Sequence, residues 1–102
     1  MQVKTFTKRD IAKIVSRNLN TSIRKSIKYT DEVFIAVREL LCKNQDYIRV
    51  EIRNFGVIES KPAKAKPKAR NPRTNEEIFV PAHKKTHFKP GKILKEHLKK
   101  PI

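Results

Sequence analysis

The chain has 102 residues, a formal net charge of +15, 37% hydrophobic residues and a single cysteine, Cys42. This size allows one domain with a small core, and one cysteine excludes an internal disulfide. No apolar run approaches the length of a membrane span, no signal peptide is predicted, and so large a positive charge favours a polyanionic partner.

The first two predicted elements are helices. Thr7 and Asp10 have capping-box spacing, in a weaker form with Asp in place of Glu, and an apolar stripe then predicts a helix over residues 8–19. A near-heptad seam predicts a second helix over residues 22–43, with members at positions 23, 27, 30, 34, 37 and 41. The seam is either an intramolecular core face or partly the contact with a second subunit. We favour a dimer, because so small a pair of helices rarely buries so broad a stripe.

A hairpin is predicted after the helices. Residues 48–52 alternate apolar and charged side chains, as a half-buried strand does. Asn54-Phe55-Gly56 makes a tight connection to a second strand over residues 57–60, because Asn and Gly tolerate positive φ. A third strand is predicted over residues 78–80, and Pro81 limits it to an edge or an irregular pairing.

A short last helix is predicted at about residues 91–99, with Pro90 near its start. The N–H groups of its first turn lie beside Gly91 and Lys92. They are either an ordinary helix start or a site for a phosphate group.

Between the second and third strands lies a segment of dense positive charge, which we call the basic segment (residues 61–73). It holds six cations, three prolines and no acid. Charge so dense must stay in water or meet a polyanion, so this segment is predicted to be an arm that projects from the sheet. The arm ends in Arg70-Asn71-Pro72-Arg73, where Pro72 is either a plain turn proline or an apolar wedge between bases.

Three segments resemble the HU/IHF family of bacterial histone-like DNA-bending proteins: residues 51–56 (EIRNFG), 70–75 (RNPRTN) and 87–92 (HFKPGK). The first and third look closer to the IHF beta subunit than to a typical HU. The resemblance implies an α+β fold with two N-terminal helices, a three-stranded antiparallel sheet bearing an extended β-ribbon arm, and a short C-terminal helix, in an intertwined dimer. Its parts within one domain (1–102) are a helical dimerisation part (7–44), a saddle sheet (47–88) with the arm at about 61–83, and the last helix (90–99).

The resemblance also implies a role for individual residues. Pro72 would intercalate between base pairs in the minor groove and kink the duplex. Contacts with DNA are implied for Arg53, Lys61, Lys64, Lys66, Lys68, Arg70, Asn71, Arg73, Lys84, Lys89, Gly91 and Lys92. A dimer core is implied for Phe34, Val37, Leu41, Phe55 and Phe88. The family usually has Gly where Asn54 and Asn75 stand here.

The sequence therefore predicts an architectural protein that binds and bends double-stranded DNA in the bacterial nucleoid, without a cofactor, metal, membrane or small-molecule substrate. The alternative is an RNA-binding or ribosome-associated basic protein, although the arm lacks the stacking aromatics of single-strand RNA readers. A zinc site at His83 and His87 would lack further ligands. No glycine loop or nucleophile motif indicates an enzyme. The sequence leaves open whether the partner subunit is identical or a paralogue, and whether binding is HU-like or IHF-like.

Overall fold

The computed structural model describes the backbone of residues 2–64 and 66–102 and, within these, all side chains but those of residues 66–69 and 80. The chain divides into two compact units, and the boundary lies between Glu39 and Leu40. The elements, in chain order, are α1 (Lys8–Leu19), α2 (Ile23–Leu41), β1 (Ile48–Ile52), β2 (Gly56–Ala63), β3 (Lys66–Arg70), β4 (Glu77–Val80), β5 (His83–Pro90) and α3 (Lys92–Leu98). No helix in this part of the chain is both long and apolar enough to cross a membrane.

Helix α1 has the predicted bounds because local signals set both of its ends. At its start the backbone N–H of Thr7 donates to Asp10 Oδ2 at 2.8 Å, and the Thr7 hydroxyl lies 3.2 Å from the same oxygen. These hydrogen bonds hold the pKa of Asp10 below its ordinary value. At its end Asn20 takes a left-handed conformation with φ 50°, which stops the helix.

Helix α2 is shorter than the predicted range 22–43, which extended one residue too far at its start and two at its end. The backbone N–H of Lys43 bonds to the Leu40 carbonyl, three residues back, so the last turn tightens and the helix stops. An ion pair of 3.0 Å between Lys8 and Asp31 links α1 to α2.

The apolar seam of α2 is only partly buried: Thr30 is buried, Ile27, Val37 and Leu41 are half-buried, and Ile23 and Phe34 are exposed. Among the described residues Ala12 of α1 is the one buried hydrophobic side chain, and the polar residues Ser26 and Thr30 of α2 are also buried. Phe34 of the seam is 43% exposed, and Val33, which precedes it in sequence, is 59% exposed. A seam this open leaves apolar surface for a further partner.

The sheet contains a correction to the sequence prediction. It has the predicted three antiparallel strands, but in the order β1-β2-β5, so its third strand is His83–Pro90 and not residues 78–80. Strand β5 shows little apolar alternation and all of its residues are exposed. It is a strand because it pairs with β2, although its own sequence lacks the alternating apolar pattern of a strand. Pro90 ends β5 and directly precedes Gly91, the N-cap of α3, so it lies near the start of the last helix as predicted.

Residues 77–80 form β4, which pairs with β3 in a separate two-stranded sheet. Strand β2 also continues to Ala63, three residues beyond the predicted end at 60. Pro81 stands between β4 and β5, where its missing N–H removes nothing from either ladder.

Gly56, at the start of β2, is required by close packing. A Cβ there would lie 2.5 Å from the Lys89 carbonyl oxygen and 2.8 Å from carbons of the Phe88 ring. We expect Gly56→Ala to lower the free energy of unfolding by about 1–3 kcal/mol, as overpacking does. Urea denaturation measures this loss. Thr86→Ala, at an exposed position of the same sheet, is the control and should cost less than about 0.5 kcal/mol; equal midpoints for the two variants would contradict the close contact.

Candidate nucleic-acid interface

The described parts of the basic segment run through two antiparallel strand pairs. Strands β2 and β5 pair as far as Ala63 and His83, and β3 and β4 pair in the second, two-stranded sheet. The arm at about 61–83 stays a prediction. The register shifts between Lys66 and Ala69, which marks an irregularity in β3. The side chains of Lys66 and Lys68 lie outside the described residues, so their predicted contacts with DNA stay predictions.

The turn at the end of the arm, which we call the tip turn (residues 71–76), is closed by its own hydrogen bonds. The Asn71 N–H donates to the Glu76 carbonyl at 2.8 Å, and the Asn75 N–H donates to the Asn71 carbonyl at 2.7 Å. The Asn71 side chain accepts the Arg73 N–H at 3.0 Å, which is an Asx turn. Pro72 is exposed at this end of the ribbon.

Asn75 has two functions in the tip turn. Its backbone takes the predicted left-handed conformation, with φ 59°. Its side-chain oxygen accepts a hydrogen bond of 3.1 Å from Arg70 Nη1, so the guanidinium of the last β3 residue is held against the turn. Arg73 is exposed on the other side of Pro72 in sequence. Two arginines therefore flank the proline in sequence, and their contacts with DNA stay predictions.

A buried carboxylate lies within the three-stranded sheet. Glu59 of β2 pairs across the strands with Arg49 of β1 and His87 of β5, and its side chain is only 1% exposed. Lys89 Nζ lies 3.1 Å from Glu59 Oε1, Arg49 Nε lies 3.7 Å from the same oxygen, and Lys61 Nζ lies 3.8 Å from Oε2. We call these three cations with Glu59 the Glu59 cluster.

The pKa of Glu59 is held below its ordinary value, chiefly by the hydrogen bond from Lys89. Burial acts in the opposite direction, and the Tyr47 side chain and the charge of Lys61 add smaller lowering effects. The carboxylate is therefore ionised at neutral pH. Sequence reasoning missed Arg49 and Glu59, because it set no register for the hairpin; the observed register pairs Ile52 with Gly56 and therefore Arg49 with Glu59.

Lys84, which the sequence predicted as a DNA contact, is engaged elsewhere. Its ammonium donates to the Gln45 carbonyl at 2.6 Å and lies 3.5 Å from the Lys43 carbonyl oxygen. Both partners belong to the loop between α2 and β1. Lys84 therefore ties β5 to this loop, a contact between residues 39 apart that no local pattern signals.

Three other predicted contacts are brought together near the start of α3. Arg53, Gly91 and Lys92 line one open concavity of about 450 Å³. The Gly91 N–H donates to the Phe55 carbonyl at 2.8 Å, and a Cβ on Gly91 would lie 3.0 Å from that oxygen. This close approach explains why a glycine stands at the N-cap of α3.

The residues predicted for a dimer core are open to solvent in the single chain. Phe55 and Phe88 contact each other, with ring centroids 5.3 Å apart and planes at 45°, yet both remain exposed. On α2, Phe34 is exposed, and Val37 and Leu41 are half-buried.

Comparisons with known proteins all find similarity to bacterial DNA-binding proteins. The family model described as bacterial DNA-binding protein matches residues 6–99. The DNA-binding protein HU of Geobacillus stearothermophilus is 36% identical over 94 residues, which cover 92% of this chain and 100% of that protein. The integration host factor subunit alpha of Hydrogenovibrio crunogenus is 32% identical over 93 residues, which cover 91% and 92%.

Among solved structures, the Anabaena HU-DNA cocrystal structure matches with a TM-score of 0.80 and 24% identity, over 94% of this chain and 100% of that one. It has the same fold. The closer likeness of two segments to the IHF beta subunit stays a prediction. With a family model that spans nearly the whole chain and relatives more than 30% identical along their lengths, this chain belongs to the family of bacterial DNA-binding proteins that includes HU and the IHF subunits.

Proposed function

We propose that the protein is an architectural DNA-binding protein that grips the minor groove of duplex DNA with its arm and bends the duplex at Pro72. The observation that carries the proposal is the exposed proline in a hydrogen-bonded tip turn at the end of a basic two-stranded ribbon. Relatives are named as DNA-binding proteins, and a structural neighbour was solved with DNA.

The charge of the arm suits the phosphate backbone. Lys61, Lys64, Arg70 and Arg73 supply positive charge along the described part of the basic segment, and Lys66 and Lys68 are predicted to add to it. Each phosphate neutralised releases condensed counterions from the duplex, so binding should weaken steeply with salt. These contacts read charge and not sequence, since phosphates are the same at every step.

Pro72 is suited to opening a base step. A proline side chain is rigid and apolar, and its nitrogen carries no hydrogen that would need a partner inside the stack. Unstacking costs roughly a few kcal/mol per step, which contacts along the bent flanks offset. Arg70, Asn71 and Arg73 stand beside Pro72, where they would lie in or near the minor groove. That groove distinguishes mainly A·T from G·C, so specificity would arise from DNA shape and deformability.

Bending in this manner needs two arms, and we infer a dimer. The open seam of α2, with Phe34, Val37 and Leu41, and the exposed rings of Phe55 and Phe88 offer the apolar surface that a second chain would cover. An intertwined arrangement would join these surfaces into one core. The partner is a second copy or a paralogue.

The remaining predicted contacts fit the same role. Arg53, Gly91 and Lys92 share a concavity in which the two cations would hold phosphates on the flanks of the bend, while the Gly91 N–H stays bonded to the Phe55 carbonyl. Lys89 would contact DNA from the sheet, and Lys84 would do so only by leaving the carbonyls of the α2–β1 loop. The protein would act in the bacterial nucleoid, in compaction and nucleoprotein assembly, by binding and not by catalysis.

A competition assay tests the choice of polyanion. The protein is bound to a fluorescent nicked duplex and challenged with unlabelled duplex DNA, duplex RNA, single-stranded RNA and anionic lipid vesicles, all at one ionic strength. We expect duplex DNA to displace the probe at the lowest phosphate concentration. Displacement at a lower concentration by either RNA or by vesicles would overturn the DNA-bending function.

A further inference from the structure

We propose that Asn75 is a positioning residue: its side chain holds the Arg70 guanidinium at the tip turn and keeps it from pairing with Glu77 on the neighbouring strand. Asn75 thereby decides how much of the Arg70 charge is available to DNA. This inference deepens the proposed function and rests on it, because it concerns one predicted contact of the same interface.

The register of β3 and β4 places an acid directly opposite Arg70. Arg70 is the last residue of β3, and its cross-strand partner is Glu77, the first residue of β4. Side chains of directly opposite residues lie on the same face of an antiparallel pair, where opposite charges attract each other. The register therefore favours an ion pair between Arg70 and Glu77, which would neutralise the cation next to the tip turn.

The structure gives Arg70 a different partner. Its Nη1 donates to Asn75 Oδ1 at 3.1 Å, and the ion pairs among the described residues do not include Arg70. The Asn75 amide is neutral, so it orients the guanidinium without cancelling its charge. A guanidinium has five N–H donors, so one bond to Asn75 leaves the others for acceptors on DNA.

Asn75 can hold Arg70 because its own backbone is fixed. It takes the left-handed conformation with φ 59°, and its N–H donates to the Asn71 carbonyl at 2.7 Å. Glycine would adopt this conformation as readily, but it would have no side chain to receive Arg70. An arginine that is already oriented loses less side-chain freedom when it meets a ligand, and binding is stronger for that reason.

Asn20 provides a matched control for the exchange of asparagine for glycine. It also has a left-handed conformation, with φ 50°, and it ends α1. Glycine is well tolerated at such a helix end. Asn20→Gly therefore makes the same chemical change as Asn75→Gly, at a position in a different turn from Arg70. Any effect special to Asn75→Gly comes from its side chain and not from the added glycine.

The first experiment is a double-mutant cycle between Asn75 and Arg70. Affinity is measured at one salt concentration for the polyanion that the competition assay ranks first. We expect Asn75→Gly to weaken binding about two- to tenfold, as the loss of one oriented side chain does. In Arg70→Gln protein, Asn75→Gly should change the affinity by less than about twofold, because the group that it positions is gone. Asn20→Gly should also stay within about twofold of the wild type.

The second experiment uses Glu77, which gives a readout that a merely structural role of Asn75 would not change. When Asn75→Gly releases Arg70 to pair with Glu77, Glu77→Gln in the same protein should restore most of the lost affinity. Glu76→Gln removes the same charge one residue away, at a position that is not the partner of Arg70 in the register. It should restore clearly less. In the wild type the two substitutions should have equal effects.

Independent losses for Asn75→Gly and Arg70→Gln, which add in the double variant, would overturn the inference. An equal loss for Asn20→Gly, or equal restoration by Glu76→Gln and Glu77→Gln, would overturn it as well. A larger gain from Glu77→Gln than from Glu76→Gln in the wild type would show that Arg70 is already paired with Glu77, and this comparison stands even if Asn75→Gly fails to fold. The competition assay and the cycle are separate measurements, so a failed preference for DNA and a missing coupling are separate results.

Discussion

Replacing Pro72 by alanine is expected to reduce the bend of a bound duplex far more than it reduces affinity. The variant loses the rigid apolar group that holds a base step apart, but it also avoids the unstacking cost of roughly a few kcal/mol that the wedge imposes. The phosphate contacts of the arm remain. Fluorescence transfer between dyes at the two ends of a short duplex measures the bend, and titration of the same duplex gives the affinity.

Pro62→Ala is the matched control, because Pro62 is also an exposed proline of the arm but lies in β2, away from the tip turn. It should leave both the bend and the affinity close to those of the wild type. If Pro72→Ala lost bend and affinity to the same extent, or lost neither, the proline would be an ordinary turn residue.

Introducing a charge at Phe34 is expected to separate the subunits. In a symmetric dimer the substitution Phe34→Asp occurs twice, and each copy removes apolar burial of about 1.5–3 kcal/mol. The sum of about 3–6 kcal/mol corresponds to roughly a 10²–10⁴-fold rise in the dimer dissociation constant. Sedimentation equilibrium over a range of protein concentrations measures the change.

Tyr29→Asp tests whether position matters and not only charge. Tyr29 is an exposed aromatic residue of α2 that lies off the seam formed by positions 23, 27, 30, 34, 37 and 41. It should leave the dissociation constant within about threefold, as surface substitutions usually do. A Phe34→Asp protein that stayed as dimeric as the Tyr29→Asp protein would show that the seam is not the subunit contact.

Local signals predicted the parts of the fold that depend on neighbours in sequence. The cap and stripe of α1 set its two ends, alternation set β1, and Asn54 and Asn75 took the positive φ that their chemistry tolerates. Strand β5 was missed because its pattern is almost wholly polar. It forms a strand only because it pairs with β2. A strand that is held by pairing with a partner far away in sequence need not show an alternating apolar pattern of its own.

The same reason explains what was missed in the interface. The tip turn is a short-range structure, and its proline, asparagines and arginines were all predicted. The Glu59 cluster needs the register of three strands, and the contact between Lys84 and Gln45 joins residues 39 apart. Charge counting treats every lysine alike, whereas the structure separates lysines that are already partnered from those that are open to solvent.

The closed tip turn has a consequence for the entropy of binding. Fixing the backbone of a flexible residue costs about 1–2 kcal/mol at 25 °C, so ordering a loose loop of this size on DNA would cost several kcal/mol. The hydrogen bonds of Asn71 and Asn75 already fix the turn in the free protein, so this conformational entropy is lost when the protein folds and not when it binds DNA. Pro72 then meets the duplex on a turn that is already shaped, and the free energy of DNA contact remains available to deform the base stack.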